Sequence, residues 1–175
     1  MKHTQKMVLA ALFIALGLVM PFLTLQIPEI GSMLLPMHIP VLICGFVCGW
    51  EYGLLVGFIT PLLRSFMFPQ PPLYPTAICM AFELATYGTV SGLLYSKLPK
   101  FKFKTYLSLI CAMLSGRLVW GIVSIIVYGI GKNAFTWSMF MGGALLEAIP
   151  GIIVQLILIP LLIMTLEKAG VIKQK

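Results

Sequence analysis

LLPMHIPVLICGFVCGWEYGLLVGFITPLLR, residues 34–64, decides the fold. Two apolar stretches flank a short joint, Gly49-Trp50-Glu51-Tyr52-Gly53, and the second ends on a charged residue, Arg64. So short a joint predicts two antiparallel neighbouring helices, over 38–50 and 52–68. Gly45, Gly49, Gly53 and Gly57 recur every fourth residue across it. In lipid, helices associate by close approach of small side chains, so this spacing predicts tight internal packing and a tight turn. It is not a phosphate loop, because no Gly-Lys-Ser/Thr follows.

The rest of the chain reads the same way. Of its 175 residues 60% are hydrophobic and 10% charged, and mean hydropathy is +1.04. A soluble body of this size has too much surface to hide so much apolar matter, so lipid must be the solvent for much of it. A crossing needs about 20 mostly apolar residues. Further spans are expected over 7–25, 76–95, 105–130 and 137–166, the last bent at Pro150 and Pro160. The four prolines of 69–75 (PQPPLYP) exclude helix interior and mark an outer loop. Residues 26–37 (QIPEIGSMLLPM) read as another outer loop able to fold back on the bundle. The expected fold is an all-α membrane protein, a compact bundle of six transmembrane helices forming one domain over 1–175. No long internal repeat suggests an inverted-repeat transporter.

The formal charge is +7, with 12 Lys and Arg against 5 Glu. A basic chain invites a nucleic-acid reading, but placement argues against it. Lys2 and Lys6, then Lys97, Lys100, Lys102 and Lys104, then Lys168, Lys173 and Lys175 each border an apolar stretch. That is the positive-inside pattern. Six crossings put all three clusters on one side, with both termini cytoplasmic. Cys44, Cys48, Cys79 and Cys111 lie inside apolar segments, and no second His or Cys pair completes a metal site. No hydrolase, kinase or redox motif is present, so neither an enzyme nor a cofactor is expected.

Arg64, Glu83, Arg117 and Glu147 lie deep in apolar spans, in the outer half or at the midplane. Each costs several kcal/mol if it faces lipid, so the four should face a shared interior. Thr60 accompanies Arg64. Thr76, Tyr87 and Ser91 accompany Glu83; Trp120, Gly121, Ser124 and Tyr128 accompany Arg117; Gly151 and Gln155 accompany Glu147. Two readings follow. The charges form buried Arg–Glu pairs that fix helix register, or they line an outward-opening cavity in which Arg clamps a carboxylate by bidentate hydrogen bonds. Tyr87, Trp120 and Asn133 are further contacts in the second reading. The outer loop adds Gln26, Glu29, Ser32 and His38. On span one, Ala11 and Ala15 form a small, smooth patch suited to an internal helix contact or a partner dock.

These features resemble the substrate-binding S component of energy-coupling factor (ECF) vitamin transporters. The resemblance covers nearly the whole chain. It rests on size, six spans, the Ala-x-x-x-Ala of Ala11 and Ala15, the 34–64 segment quoted above, and AFELATYGTVSGLLY over 81–95. It implies a bacterial plasma-membrane subunit that binds a vitamin or precursor from outside. A membrane T subunit and two ATPases would then drive its release inward. It also implies that Ala11 and Ala15 dock the T subunit and that 26–37 closes the pocket. His38-Ile39-Pro40 looks most like pantothenate-type members, and two Arg suit an acid. Riboflavin, folate, niacin, pyridoxine-type and hydroxymethylpyrimidine members stay open. So do two other classes: a stand-alone secondary transporter, and a small membrane assembly protein whose charges only set packing.

Overall fold

A computed structural model describes residues 2–24, 33–68, 70–99, 101, 103–130, 136–142 and 148–170. Among them there is no strand. The helices are α1 (His3–Val19), continued by a 3-10 turn (Met20–Thr24), α2 (His38–Cys48), α3 (Trp50–Met67), α4 (Ile78–Lys97), entered through a π turn (Leu73–Ala77), α5 (Lys104–Ile130), α6 (Trp137–Met141) and α7 (Ile149–Lys168).

Four stretches are long and apolar enough to cross a membrane: His3–Leu23, Leu73–Lys97, Lys104–Gly129 and Ile149–Lys168. The two helices of the 34–64 segment are not among them. With 11 residues, α2 is only about 16 Å long, half the hydrocarbon thickness. The 18 residues of α3 suffice in length, but Glu51 and Arg64 dilute its apolar character. Within the last predicted span, α7 begins at Ile149. Pro150 stands in the first turn of α7, where its missing N–H costs nothing, so it begins a helix rather than bending one. Pro160 lies inside α7 as expected.

The joint at Gly49 has φ 98°, a backbone conformation that disfavours any side chain. It turns α2 straight into α3, and both then lie against α4, which also packs on α5. The four-residue glycine spacing is what lets them approach. A Cβ on Gly53 would meet the Gly88 carbonyl and the Gly45 Cα; on Gly57, the Leu84 carbonyl; on Gly92, the backbone of Trp50 and Gly45. These neighbours are backbone, which cannot swing aside, so the close approach of α2, α3 and α4 requires glycine at these positions. The sequence expectation of tight internal packing is met here.

As a result α2 is enclosed on all sides. Residues 38–46 and Cys48 are buried, so its first residue, His38, stands inside the protein rather than at its rim. Around it, Leu42, Leu84, Leu109, Ile159 and Ile163 form a core contributed by α2, α4, α5 and α7. By contrast α1 buries only one stripe, Ala10, Phe13 and Gly17, against α2 and α3. Ala11 and Ala15 lie on its exposed side.

Candidate functional site

On α4 the buried residues Cys79, Glu83, Tyr87 and Ser91 recur every four positions, which stacks them on one helix face. Glu83 is 2% exposed. Its Oε1 stands 3.0 Å from Arg117 Nη1 on α5 and 3.6 Å from His38 Nε2 on α2. The first distance is a close ion pair; the second is too long for a hydrogen bond. The Tyr87 ring lies 5.2 Å from the His38 ring at 58°. It occupies the space left by Gly116 on α5, where any Cβ would collide with the Tyr87 ring. Three helices thus converge on one carboxylate, through a glycine opposite the tyrosine and a histidine at the first turn of a buried helix.

This cluster is not saturated. Both ring nitrogens of His38, Nε and Nη2 of Arg117, Ser124 Oγ and both amide atoms of Gln155 have no hydrogen-bond partner among the described residues. An orphaned buried polar atom costs about 1–3 kcal/mol. Four of these atoms belong to His38 and Arg117, beside Glu83 itself.

The residues expected to share an interior separate as follows. Glu83, Tyr87 and Arg117 come together, and His38 joins them from the start of α2. Arg64 stands apart. It is 2% exposed, donates through Nη1 to the Leu18 carbonyl, and lies over the touching Phe22 and Phe68 rings at 5.2 and 5.1 Å. That is a cation–π clamp holding the end of α1 on the end of α3. Trp120 belongs to an aromatic stack, 6.1 Å from Phe140, which is itself 5.4 Å from Trp137. Asn133, Glu147, Gln26, Glu29 and Ser32 lie outside the described residues. Gln155 was legible in the sequence only as one member of a polar stripe; its complete burial, 0% exposed, marks it out. No group of three His, Cys, Asp or Glu among the described residues could hold a metal ion.

An all-helical chain with several membrane-crossing helices and a buried, partly unsatisfied polar cluster has the build of a membrane protein that receives a small polar ligand. A family model described as the ECF transporter, substrate-specific component, matches residues 5–163. The chain belongs to that family. It is therefore a substrate-specificity subunit for transmembrane transport, in a family whose members bind substrate rather than transform it. No curated protein and no solved structure matches it.

Proposed function

We propose that this chain binds a vitamin or vitamin precursor with high affinity at the outer face of the bacterial plasma membrane, with pantothenate as the first choice. It delivers that ligand to an ATP-driven importer made with a membrane T subunit and two ATPase subunits. The observation that carries this reading is the Glu83–Arg117 pair beside His38, where both His38 ring nitrogens and two Arg117 nitrogens are buried without hydrogen-bond partners among the described residues. A pair that only fixed register would have its lone pairs and protons satisfied by the protein. The acid is favoured because Nε and Nη2 form one edge of the Arg117 guanidinium, a fork that matches a carboxylate. Riboflavin, folate, niacin, pyridoxine and hydroxymethylpyrimidine are the competing ligands.

The test is a calorimetric and thermal-shift screen of the purified protein against these vitamins, with mass spectrometry of any ligand that co-purifies. Saturating ligand at a hundredfold excess over Kd adds about 2.7 kcal/mol to folding stability, so the true ligand should raise Tm by several degrees. A flat response to the whole panel would overturn the reading.

The same proposal includes the topology. The whole chain forms one domain of six crossings, α2 and α3 together completing two of them, with both termini and the Lys97 end of α4 in the cytoplasm. Support comes from Lys2, Lys6, Lys97, Lys104 and Lys168, all at helix ends that six crossings bring to one side. A cysteine placed at Lys97, in a background with Cys111 replaced by Ala, should react with an impermeant thiol reagent only from the cytoplasmic side. One placed at Pro72 should react only from outside. Labelling of the Lys97 position in intact cells contradicts the six-crossing arrangement.

A further inference from the structure

The run from Lys97 to Lys104, which joins α4 to α5, reads KLPKFKFK, with no acidic residue. None of it belongs to the candidate site. A connection that met only water would have no reason to show phenylalanine, yet Phe101 is 43% and Phe103 61% exposed. Lys97, the last residue of α4, is exposed too. Lys104 differs: it is 4% exposed, and its Nζ lies 4.6 Å over the Tyr95 ring, so it serves the bundle itself. Lys100 and Lys102 alternate in sequence with the two exposed phenylalanines. Phe103 is continuous with the outward side of α5. Its carbonyl accepts from the Leu107 N–H at 2.9 Å, and Leu107, Ile110, Leu114 and Leu118 follow at helical spacing, all exposed. Trp50 is also exposed and sits at the same end, its backbone against Gly92 near the close of α4. Exposed aromatic rings gathered at one end of apolar helices mark the boundary between water and hydrocarbon.

From this we infer that the connection between α4 and α5 is a binding surface for anionic phospholipid. Phe101 and Phe103 seat in the acyl chains just under the headgroups, and Lys97, Lys100 and Lys102 pair with the headgroup charge. The rings hold the lysines at headgroup depth, where attraction to a net negative lipid acts at short range. A zwitterionic headgroup offers no net charge, so the lysines favour the anionic one. The occupant is lipid because the stripe below Phe103 runs unbroken along an apolar stretch of 26 residues, long enough to cross a membrane, whose outward side the acyl chains must solvate. The inference shares only the membrane setting with the proposed function. It needs neither the identity of the ligand nor the side of the membrane on which this end lies.

The test sets a bimane fluorophore at Leu107→Cys, about 6 Å along α5 from Phe103, with Cys111 replaced by Ala; the remaining cysteines are buried. The full chain is reconstituted in vesicles that mix phosphatidylcholine and phosphatidylglycerol with identical acyl chains. One lipid or the other is supplied in chain-brominated form, at equal mole fraction, as the quencher. Brominated phosphatidylglycerol should quench about twice as strongly as brominated phosphatidylcholine, or more. Lys97→Gln, Lys100→Gln and Lys102→Gln together should bring that ratio to about one. So should about 1 M salt, which screens the same attraction without any substitution. Phe101→Ser with Phe103→Ser should also lower the ratio, because the lysines then lose their seat at headgroup depth. Equal quenching by the two lipids before any substitution means that this face meets lipid without regard to charge. Quenching by neither means that a second copy of the chain covers it. Either result overturns the inference, as does a ratio that survives the lysine or the phenylalanine substitutions. Ligand affinity, measured separately by calorimetry, is untouched by any of these outcomes, so the proposed function stands or falls apart from them.

Discussion

Arg117→Ala should lower the affinity for an acidic vitamin by about 2–5 kcal/mol, a loss of roughly thirtyfold to several thousandfold. The guanidinium Nη1 stands 3.0 Å from Glu83 Oε1 as an ion pair, and Nε and Nη2 are unbonded among the described residues. The substitution also strands Glu83 in a buried site without its counter-ion, which destabilises folding by about 3–5 kcal/mol. The two effects need separating. The double variant Glu83→Gln with Arg117→Met removes both charges, so folding stability should largely return, while affinity for the acid stays low. Pantothenol, in which an alcohol replaces the carboxylate of pantothenate, should bind the natural protein more weakly and respond little to the loss of Arg117. Arg64→Ala is the companion measurement. Arg64 is held by the Leu18 carbonyl and two phenylalanine rings, so its removal should lower Tm and leave affinity unchanged in the folded protein. If Arg117→Ala behaves as Arg64→Ala is expected to, the charges only set register and the site lies elsewhere.

Why Arg64 and Arg117 looked alike in the sequence is instructive. Each is a lone cation in an apolar run, and periodicity assigns both to interior faces, correctly: both are largely buried. What periodicity cannot supply is the partner. Arg64 finds aromatic faces because Pro21 and the 3-10 turn swing Phe22 over it, a local departure from the helix that a straight reading of 7–25 omits. Arg117 finds Glu83 because Gly116 makes room for Tyr87 and draws α4 against α5. The glycine spacing of α2 and α3 was legible because it acts through backbone approach, which depends only on which residues are small. The length of α2 was not. Proline 150 reads equally as a kink and as a helix start, and in the structure it stands in the first turn of α7. His38 is legible as the start of the helix over 38–50 and as a contact of the preceding loop; its burial in the core is not, because periodicity cannot say what covers a helix end. In the structure Pro40 lies in the first turn of α2, so the helix begins at His38 and carries it into the core.

The outward face of α1 leads to the second large effect. Ala11→Trp and Ala15→Trp together should abolish ATP-driven uptake while leaving ligand affinity within about twofold, the scatter expected of substitutions that share no contact with the site. The helix has two distinct sides. Ala10, Phe13 and Gly17 are buried, Gly17 so closely that a Cβ there would strike Thr60 on α3. Ala11 and Ala15 are exposed among Met7, Val8, Leu12 and Leu16. Lipid tails alone give such a face no reason to be small, since a leucine is as well solvated there as an alanine. Small residues one turn apart are an advantage where another helix must come close, and the family's need for a membrane T subunit supplies that helix. A bulky ring inserted at such a contact costs about 1–3 kcal/mol. Two together would weaken the complex by roughly a hundredfold or more. The outcome is read by co-purification with the T subunit and ATPases, beside calorimetry on the isolated chain. Intact complex and intact binding together would mean that this face meets only lipid, and that the dock lies on another helix.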